Sequence, residues 1–493
     1  MTFVADQGPI CPLYVDLDGT LIKQDSLHES ILAVIKRHPF IIIKMLLWLL
    51  QGKAHFKHQL ASWVQPNDVL PVVNPDFIAW LKLQQQHRPI YMATASESSM
   101  ADRMAKHFGF FAGVIATTRL QPGQPQINLA GQHKLHAIQE HMQAHGFQEF
   151  DYAGNSRADL PIWAKARQVI AVNAPQALFA HLQKKGYAPL VFGSLTLKWR
   201  HIFKAMRLTQ WSKNGLLFVP LLAAHEWSVG AWASVVMAFL AFGLLASSTY
   251  LINDLLDLSN DRQHHHKRNR PLASASLLVG HAIPICGALM ISGLILAAWL
   301  DIEFFLILVA YTVTTLAYSL RLKSYPIVDV IVLSGLYSWR LFAGATVASI
   351  TLSNWLLTVS LFLFLGLALV KRCAELEEVT LSSDTDIARG RGYHQDDLPV
   401  LRSMGIASSF ATVLVLALYI DSQSQSSLYP SAGWLWGVVP VMLFWLMRLW
   451  IKATRRQLHG EDPLQFALHD KTSWLVVSVL AVLASLATMG YSI

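Results

Sequence analysis

The residues with the most chemical promise lie in one polar stretch. It runs Asn253-Asp254-Leu255-Leu256-Asp257-Leu258-Ser259-Asn260-Asp261-Arg262, then three histidines, then Lys267, Arg268, Arg270 and Pro271. On a continuing helix Asn253, Asp257 and Asp261 recur at i, i+4 and i+8, with Asp254 beside them, so several oxygen donors share one stripe. Such a stripe repels itself unless a hard cation sits on it, and Mg2+ held by carboxylates and substrate phosphates is the usual occupant. Asn253, Asp254, Asp257 and Asp261 are therefore candidate metal ligands, with Asp254 and Asp257 the candidate catalytic residues. Lys267 and Arg270 would meet phosphate charge that the cation leaves over, or would only set membrane topology. The plain alternative for the whole stretch is a solvated loop with charges of both signs. His264-His265-His266 are better read as solvated, because adjacent imidazoles seldom converge on one ion.

A second group of acids stands near the N-terminus. Leu13-Tyr14-Val15-Asp16-Leu17-Asp18-Gly19-Thr20 predicts a short buried strand ending in two acids and a glycine turn. Acids at the carboxyl end of a strand, in an alternating strand and helix pattern, lie where open α/β sheets bind ligands. The stretch resembles the Asp-x-Asp-Gly-Thr motif of the haloacid dehalogenase superfamily of phosphatases. That resemblance implies Asp16 as a nucleophile forming an aspartyl-phosphate and Asp18 as general acid and base. It also implies Mg2+ on both carboxylates. Three further stretches follow in the family's order. Thr94, in Arg88-Pro-Ile-Tyr-Met-Ala-Thr94-Ala-Ser96, matches the hydroxyl that holds the phosphoryl group, and Lys134 matches the phosphate-binding lysine. Gly154-Asn155-Ser-Arg-Ala-Asp159 resembles the fourth motif but departs from it, since Asn155 stands where an acid usually binds the metal. An amide oxygen can still coordinate, though without charge, and Asp159 could partly compensate. The alternative is a fold kept for docking.

The elements that must position these groups follow from composition. The chain has 493 residues, 53% hydrophobic and only 14% charged, too long for one ordinary domain and too apolar for a wholly soluble one. Expected is an α/β Rossmann-like haloacid dehalogenase head with a helical cap over residues 1–192, and an amphipathic linker over 193–212. An all-α polytopic membrane domain of about nine transmembrane helices follows over 213–493. Residues 24–80 take the place of the cap. Within them Phe40 to Leu50 is apolar but too short to span a bilayer, so it reads as a cap-helix core or as an interfacial segment. The linker mixes Lys198, Arg200, Lys204 and Arg207 with aromatics, as suits an anionic membrane surface. Apolar spans are expected near 213–227, 228–252, 277–300, 302–320, 325–349, 353–371, 398–420, 431–452 and 473–492, the first weak by length.

Charge in the loops fixes the orientation. Loops after the second, fourth, sixth and eighth spans carry the basic residues, Arg389 and Arg391 among them, and the opposite loops lack Lys and Arg. The positive-inside rule then puts the head and the acidic stretch in the cytoplasm and the C-terminus outside, in an inner (plasma) membrane. The net charge of +8 fits topology and phosphate ligands, so nucleic acid is not expected as a partner. Cys11, Cys286 and Cys373 have no metal spacing and suggest no disulfide framework, and no cleavable signal peptide is expected.

Nine spans with Asn-Asp-x-x-Asp-x-x-x-Asp after the second resemble the UbiA superfamily of intramembrane prenyltransferases. The family's second polar region corresponds here to Tyr318-Ser-Leu-Arg-Leu-Lys323, and Arg340 lies inside the next span, where an arginine implies a ligand or a structural carboxylate pair. One branch of the family ionises a prenyl diphosphate for capture by an aromatic ring. In the other, phosphoribosyl diphosphate loses diphosphate and a polyprenyl phosphate attacks the anomeric carbon. Lys213-Asn214, at the end of Arg207-Leu-Thr-Gln-Trp-Ser-Lys-Asn, resembles the opening motif of decaprenyl-phosphate phosphoribosyltransferases. Lys371-Arg372-Cys-Ala-Glu375 resembles a second of their motifs. Fusion to a phosphatase fits too, since transfer would leave a 5-phosphate to remove. The expectation is thus a bifunctional enzyme making polyprenyl-phosphate-linked pentose for envelope glycan synthesis, bound to the lipid bilayer and open to homo-oligomer formation. Tyr318, Lys323, Arg340, Lys371 and Arg372 join Lys213 and Asn214 as substrate-binding candidates. The alternatives are an aromatic prenyltransferase of the quinone or haem type, and a docking head on a transporter-like body.

Overall fold

Strand β1 (Leu13–Val15) is buried on both sides, as a continuous apolar run in a parallel sheet must be. After it come α1 (Ser26–Arg37), α2 (Ile41–Leu50), α3 (Lys53–Ala61), α4 (Pro75–Gln84), β2 (Ile90–Glu97), α5 (Ser98–Phe108) and β3 (Gly113–Thr117). Then α6 (Gln132–His145), β4 (Asp151–Gly154), α7 (Leu160–Trp163), β5 (Val169–Val172), α8 (Gln176–Lys184) and β6 (Leu190–Phe192) complete the α/β part. The structure, a computed structural model, describes residues 11–117, 128–194, 196–264, 267–381, 392–423, 429–458 and 462–489. His265, His266, Arg389 and Arg391, named above, lie outside the described residues.

The six strands are all parallel, in the order β3-β2-β1-β4-β5-β6. Alternate side chains feed two cores. Leu13, Val15 and Met92 join one, while Tyr14, Tyr91 and Ala93 join the other, so helices cover both faces. The strand order reverses between β1 and β4, and Asp16 and Asn155 follow those two strands, at the crevice such sheets use for ligands.

The segment between β1 and β2 is helical, as a cap would be. In α2 only Ile41 and Met45 are buried, whereas Phe40, Ile43, Leu46 and Leu50 are more than half exposed. Its apolar residues therefore serve an outward face as well as a small cap core with Val34, Phe56 and Leu60.

Beyond the sheet run α9 (Trp199–Met206), a 3-10 stretch over Leu208–Phe218, α10 (Val219–Ala223), α11 (Val229–Leu256), α12 (Leu258–Gln263), α13 (Val279–Leu300) and α14 (Ile302–Leu320). The remainder comprises α15 (Val328–Val347), α16 (Asn354–Leu381), α17 (Leu398–Gln423), α18 (Val438–Thr454), α19 (Pro463–His469) and α20 (Lys471–Thr488). Among the described residues eight helices are long and apolar enough to cross a membrane. The span expected near 213–227 is no long helix: its chain is 3-10 and then the short α10. Two compact units result. One holds Met1–Met206 with Tyr250–Cys286, and the other Arg207–Thr249 with Gly287–Ile493. The acidic stretch thus belongs with the α/β head.

Candidate active sites

In the head, Asp16 leaves β1 with its backbone N–H bonded to Ala153 O of β4. Its Oδ1 accepts from Leu17 N at 2.9 Å and faces Lys134 Nζ at 2.9 Å. Burial pushes the Asp16 carboxyl up to about 7 in spite of Lys134. Asp18 is raised by burial and by Asp25, although its Oδ1 accepts from Ser26 N at 2.7 Å and its Oδ2 from the Ser96 hydroxyl. Gly19, at φ +75°, makes the turn that follows, and an added Cβ would stand 1.9 Å from the Asn155 amide nitrogen. Only glycine leaves room there for that amide.

Lys134 is tied to Tyr152 as well, and Asp16 and Asp159 lift its ammonium above the ordinary lysine value although burial pulls it down. Asp159 Oδ2 takes Asn155 N, Ser156 N and the Ser156 hydroxyl, and its Oδ1 takes the Tyr152 hydroxyl at 2.8 Å. Its carboxylate shapes the loop and steadies Lys134. Thr94 is buried, its hydroxyl accepting from Ser96 N at 3.1 Å. Ser96, two residues on, lines a cavity of about 550 Å³ together with Asp16, Asp18, Lys134 and Asn155. The rim of that cavity includes Lys57 of α3 and residues Leu278–His281 at the start of α13. Asp16, Asp18 and Asp159 with the Asn155 amide form an oxygen-rich set around Lys134. That donor chemistry fits Mg2+.

In the acidic stretch the main chain stays helical, for Asp257 N bonds Asn253 O and Asp261 N bonds Asp257 O. The side chains do not form the single stripe expected. α11 ends at Leu256 and α12 starts at Leu258, with Asp257 between them at φ −94° and ψ 11°. Across this break Asp254 and Asp261, both buried, share one nitrogen of Arg270, at 3.1 and 2.6 Å. Asp257 instead meets Lys36 of α1 at 3.0 Å. Burial raises the Asp261 carboxyl, with Arg270 opposing and Asp254 adding to the rise. Two buried acids thus share one guanidinium, which neutralises only one of them. Arg262 lies beside them, its guanidinium paired with buried Glu29 of α1. Asn253 is half-buried, and Lys267 is exposed.

The second unit gathers cations. Asp462, capping α19, accepts from Lys213 at 2.8 Å, Tyr337 at 3.0 Å and Lys371 at 3.3 Å on a single oxygen. Burial would raise this carboxyl, but Lys371 and Lys213 overcome it and hold it well below the usual range. Arg340 bonds Asn214 Oδ1 at 3.1 Å, Tyr311 OH at 3.0 Å and Leu336 O, with Phe242, Tyr311 and Tyr337 rings around it. The Asn214 amide nitrogen is fully buried and has no hydrogen-bond partner among the described residues. Gly344 lets the Lys213–Leu217 backbone lie against α15, for a Cβ there would meet Leu217 O at 2.1 Å. Arg372, 1% exposed, is clamped by Asp329, Glu375 and Tyr318 and so ties α14, α15 and α16 together. Lys323 is half-buried in a 3-10 turn after α14.

Sequence reasoning passed over Lys36, Glu29, Ser96 and Asp462. Asp462 carried a signal, an acid directly before a proline at a helix start. Ser96 carried one too, since β-strand alternation sets it on the same side as Thr94. Lys36 and Glu29 read as ordinary helix charges.

A profile of the UbiA prenyltransferase family matches residues 216–469, and one of haloacid dehalogenase-like hydrolases matches residues 13–163. The uncharacterized protein y4nM of Sinorhizobium fredii is 34% identical over 95% of this chain and 90% of its own. Nodulation protein NoeC of Azorhizobium caulinodans is 31% identical over 57% of this chain and 90% of its own. A decaprenyl-phosphate phosphoribosyltransferase of Mycobacterium tuberculosis is 32% identical over 59% of this chain and 94% of its own.

Proposed function

The chain is a multi-pass membrane protein of the UbiA prenyltransferase family with a haloacid dehalogenase-like domain at its N-terminal end, and from that premise we propose a two-step enzyme. The first step moves a 5-phosphoribosyl group from phosphoribosyl diphosphate to a polyprenyl phosphate. An acceptor phosphate oxygen bonds to the anomeric carbon as the bond to diphosphate breaks. The second step removes the 5-phosphate, leaving lipid-linked ribose for envelope glycan synthesis. The observation that carries the reading is the buried Asn214 amide donor, left unpartnered beside Lys213 and Arg340. Lys213 and Lys371 share the one carboxylate of Asp462, which leaves a surplus of positive charge for a phosphate-rich ligand. The name of the mycobacterial relative agrees.

Asn253, Asp254, Asp257 and Asp261 would hold Mg2+ in the transferase, and Asp16, Asp18 and Asn155 in the head. When bound there, the ion neutralises charge on a departing diphosphate or a transferring phosphoryl group. In the head, Asp16 attacks phosphorus and the ribose oxygen leaves with a proton from Asp18. Water, deprotonated by Asp18, then hydrolyses the aspartyl-phosphate. Lys134 and Ser96 hold the two carboxylates in place. Fusion keeps the local concentration of product high for this step.

The membrane setting follows the same reading. Helix α1 pairs with Asp257 and Arg262, just past α11, so head and acidic stretch share one side of the bilayer. The chain must then also cross between Met206 and Val229. Eleven 3-10 residues and the five of α10 reach roughly 30 Å, about the hydrocarbon thickness. That makes about nine crossings, with the head in the cytoplasm and the C-terminus outside. The exposed apolar face of α2 would rest in the lipid surface, near a lipid-linked substrate. Giving the purified chain labelled phosphoribosyl diphosphate with polyprenyl phosphate, and separately a prenyl diphosphate with an aromatic acceptor, tests the donor. Label in the lipid extract is expected from the first pair. Turnover of the second pair alone would overturn the reading.

A further inference from the structure

We infer that helix α1 joins the two chemical centres, and that its Lys36 is a positioning residue for the transferase. The inference rests on the reading of the acidic stretch as the diphosphate site. One 12-residue helix touches both centres. Its first turn belongs to the head's cavity, with Asp25 capping it, Ser26 N bonding Asp18 and His28 on the cavity lining. In its middle, Glu29 takes both terminal nitrogens of Arg262 and is 2% exposed at the side chain, as tight a fixing as a polar contact gives. In its last turn Lys36 meets Asp257 at 3.0 Å. From Ser26 to Lys36 the helix rises only about 15 Å, so the two acid sites lie a single short helix apart.

Asp257 sits at the break between α11 and α12 and pairs with Lys36, while Arg270 gathers Asp254 and Asp261. Lys36 holds its carboxylate and brings a positive charge to the place where a diphosphate would arrive. The Glu29–Arg262 pair fixes where α1 stands, and so where Lys36 can reach. On this account the head is part of the transferase and more than a second enzyme tied to it.

The test uses the full chain in lipid nanodiscs. Two quantities are read, label transfer from phosphoribosyl diphosphate and calorimetric binding of inorganic pyrophosphate. Lys36→Ala should raise KM for the donor about tenfold and weaken pyrophosphate binding by a similar factor, with kcat within about twofold. Lys36→Arg should restore most of both, and Lys36→Asp should be worse than alanine. Lys36 is one-third exposed, so these variants keep the fold. If Lys36→Ala matches the unmodified chain in both measurements while Asp257→Ala is inactive, the inference is wrong. If arginine rescues neither quantity, Lys36 is merely structural and the inference again fails. If Asp257→Ala itself transfers normally, the reading of the acidic stretch fails instead.

Discussion

Arg340 Nε bonds Asn214 Oδ1 over 3.1 Å, and the nitrogen of that same buried amide has no partner among the described residues. The oxygen is spoken for, so the donor is fixed in direction and waits for an acceptor. Asn214→Asp keeps an acceptor for Arg340 but replaces the donor with negative charge. Thermal stability should hold or rise, while KM for the phosphate substrates should climb at least about tenfold. Steady-state kinetics beside a melting curve checks both. A large fall in Tm with unchanged KM would show that Asn214 serves only the fold.

Asp462→Asn leaves the ammonium groups of Lys213 and Lys371 around a neutral amide. Removing one partner of a buried pair costs about 3–5 kcal/mol, read as a lower Tm in detergent. The cost should depend on pH. The folded carboxyl lies below its unfolded value near 3.9, so its contribution is present above that value and is lost as pH falls through and below it. The gap between variant and unmodified chain should be full at pH 7 and pH 5 and shrink only below about 4.

Arg262→Ala strands Glu29, which is 2% exposed at its side chain. About 3–5 kcal/mol of stability at neutral pH should go with it, and α1 should become sensitive to limited proteolysis. Arg262→Ala with Glu29→Leu should recover part of the loss, because neither buried charge then remains.

Asn155→Asp would return an acid to the head's fourth motif. Added ligand charge tightens divalent binding, so half-maximal phosphate release should need about tenfold less Mg2+. A Mg2+ titration with a water-soluble aryl phosphate checks it. An unchanged titration would mean that Asn155 is not a ligand.

Much of this was legible in the chain itself. Asp16, Asp18 and Asn155 follow buried strands, and a strand's carboxyl end in a parallel sheet is a fixed place. The long apolar helices declared themselves by length and composition. What could not be read was how side chains pair across long separations. Spacing alone put Asn253, Asp257 and Asp261 on one stripe with Asp254 beside it, but after a break at Asp257 the acids divide between Arg270 and Lys36. Arg372 looked like a phosphate ligand, yet Asp329 and Glu375 enclose it. The span expected near 213–227 looked weak by length, and its chain is 3-10 followed by a short helix.

The most direct test compares the mass of the lipid product made by the unmodified chain and by Asp16→Asn from phosphoribosyl diphosphate and polyprenyl phosphate. The account predicts lipid-linked pentose without a 5-phosphate from the first. From the second it predicts lipid-linked pentose 5-phosphate, with phosphate release down by at least about 10³-fold. No pentose-bearing lipid from either would contradict it.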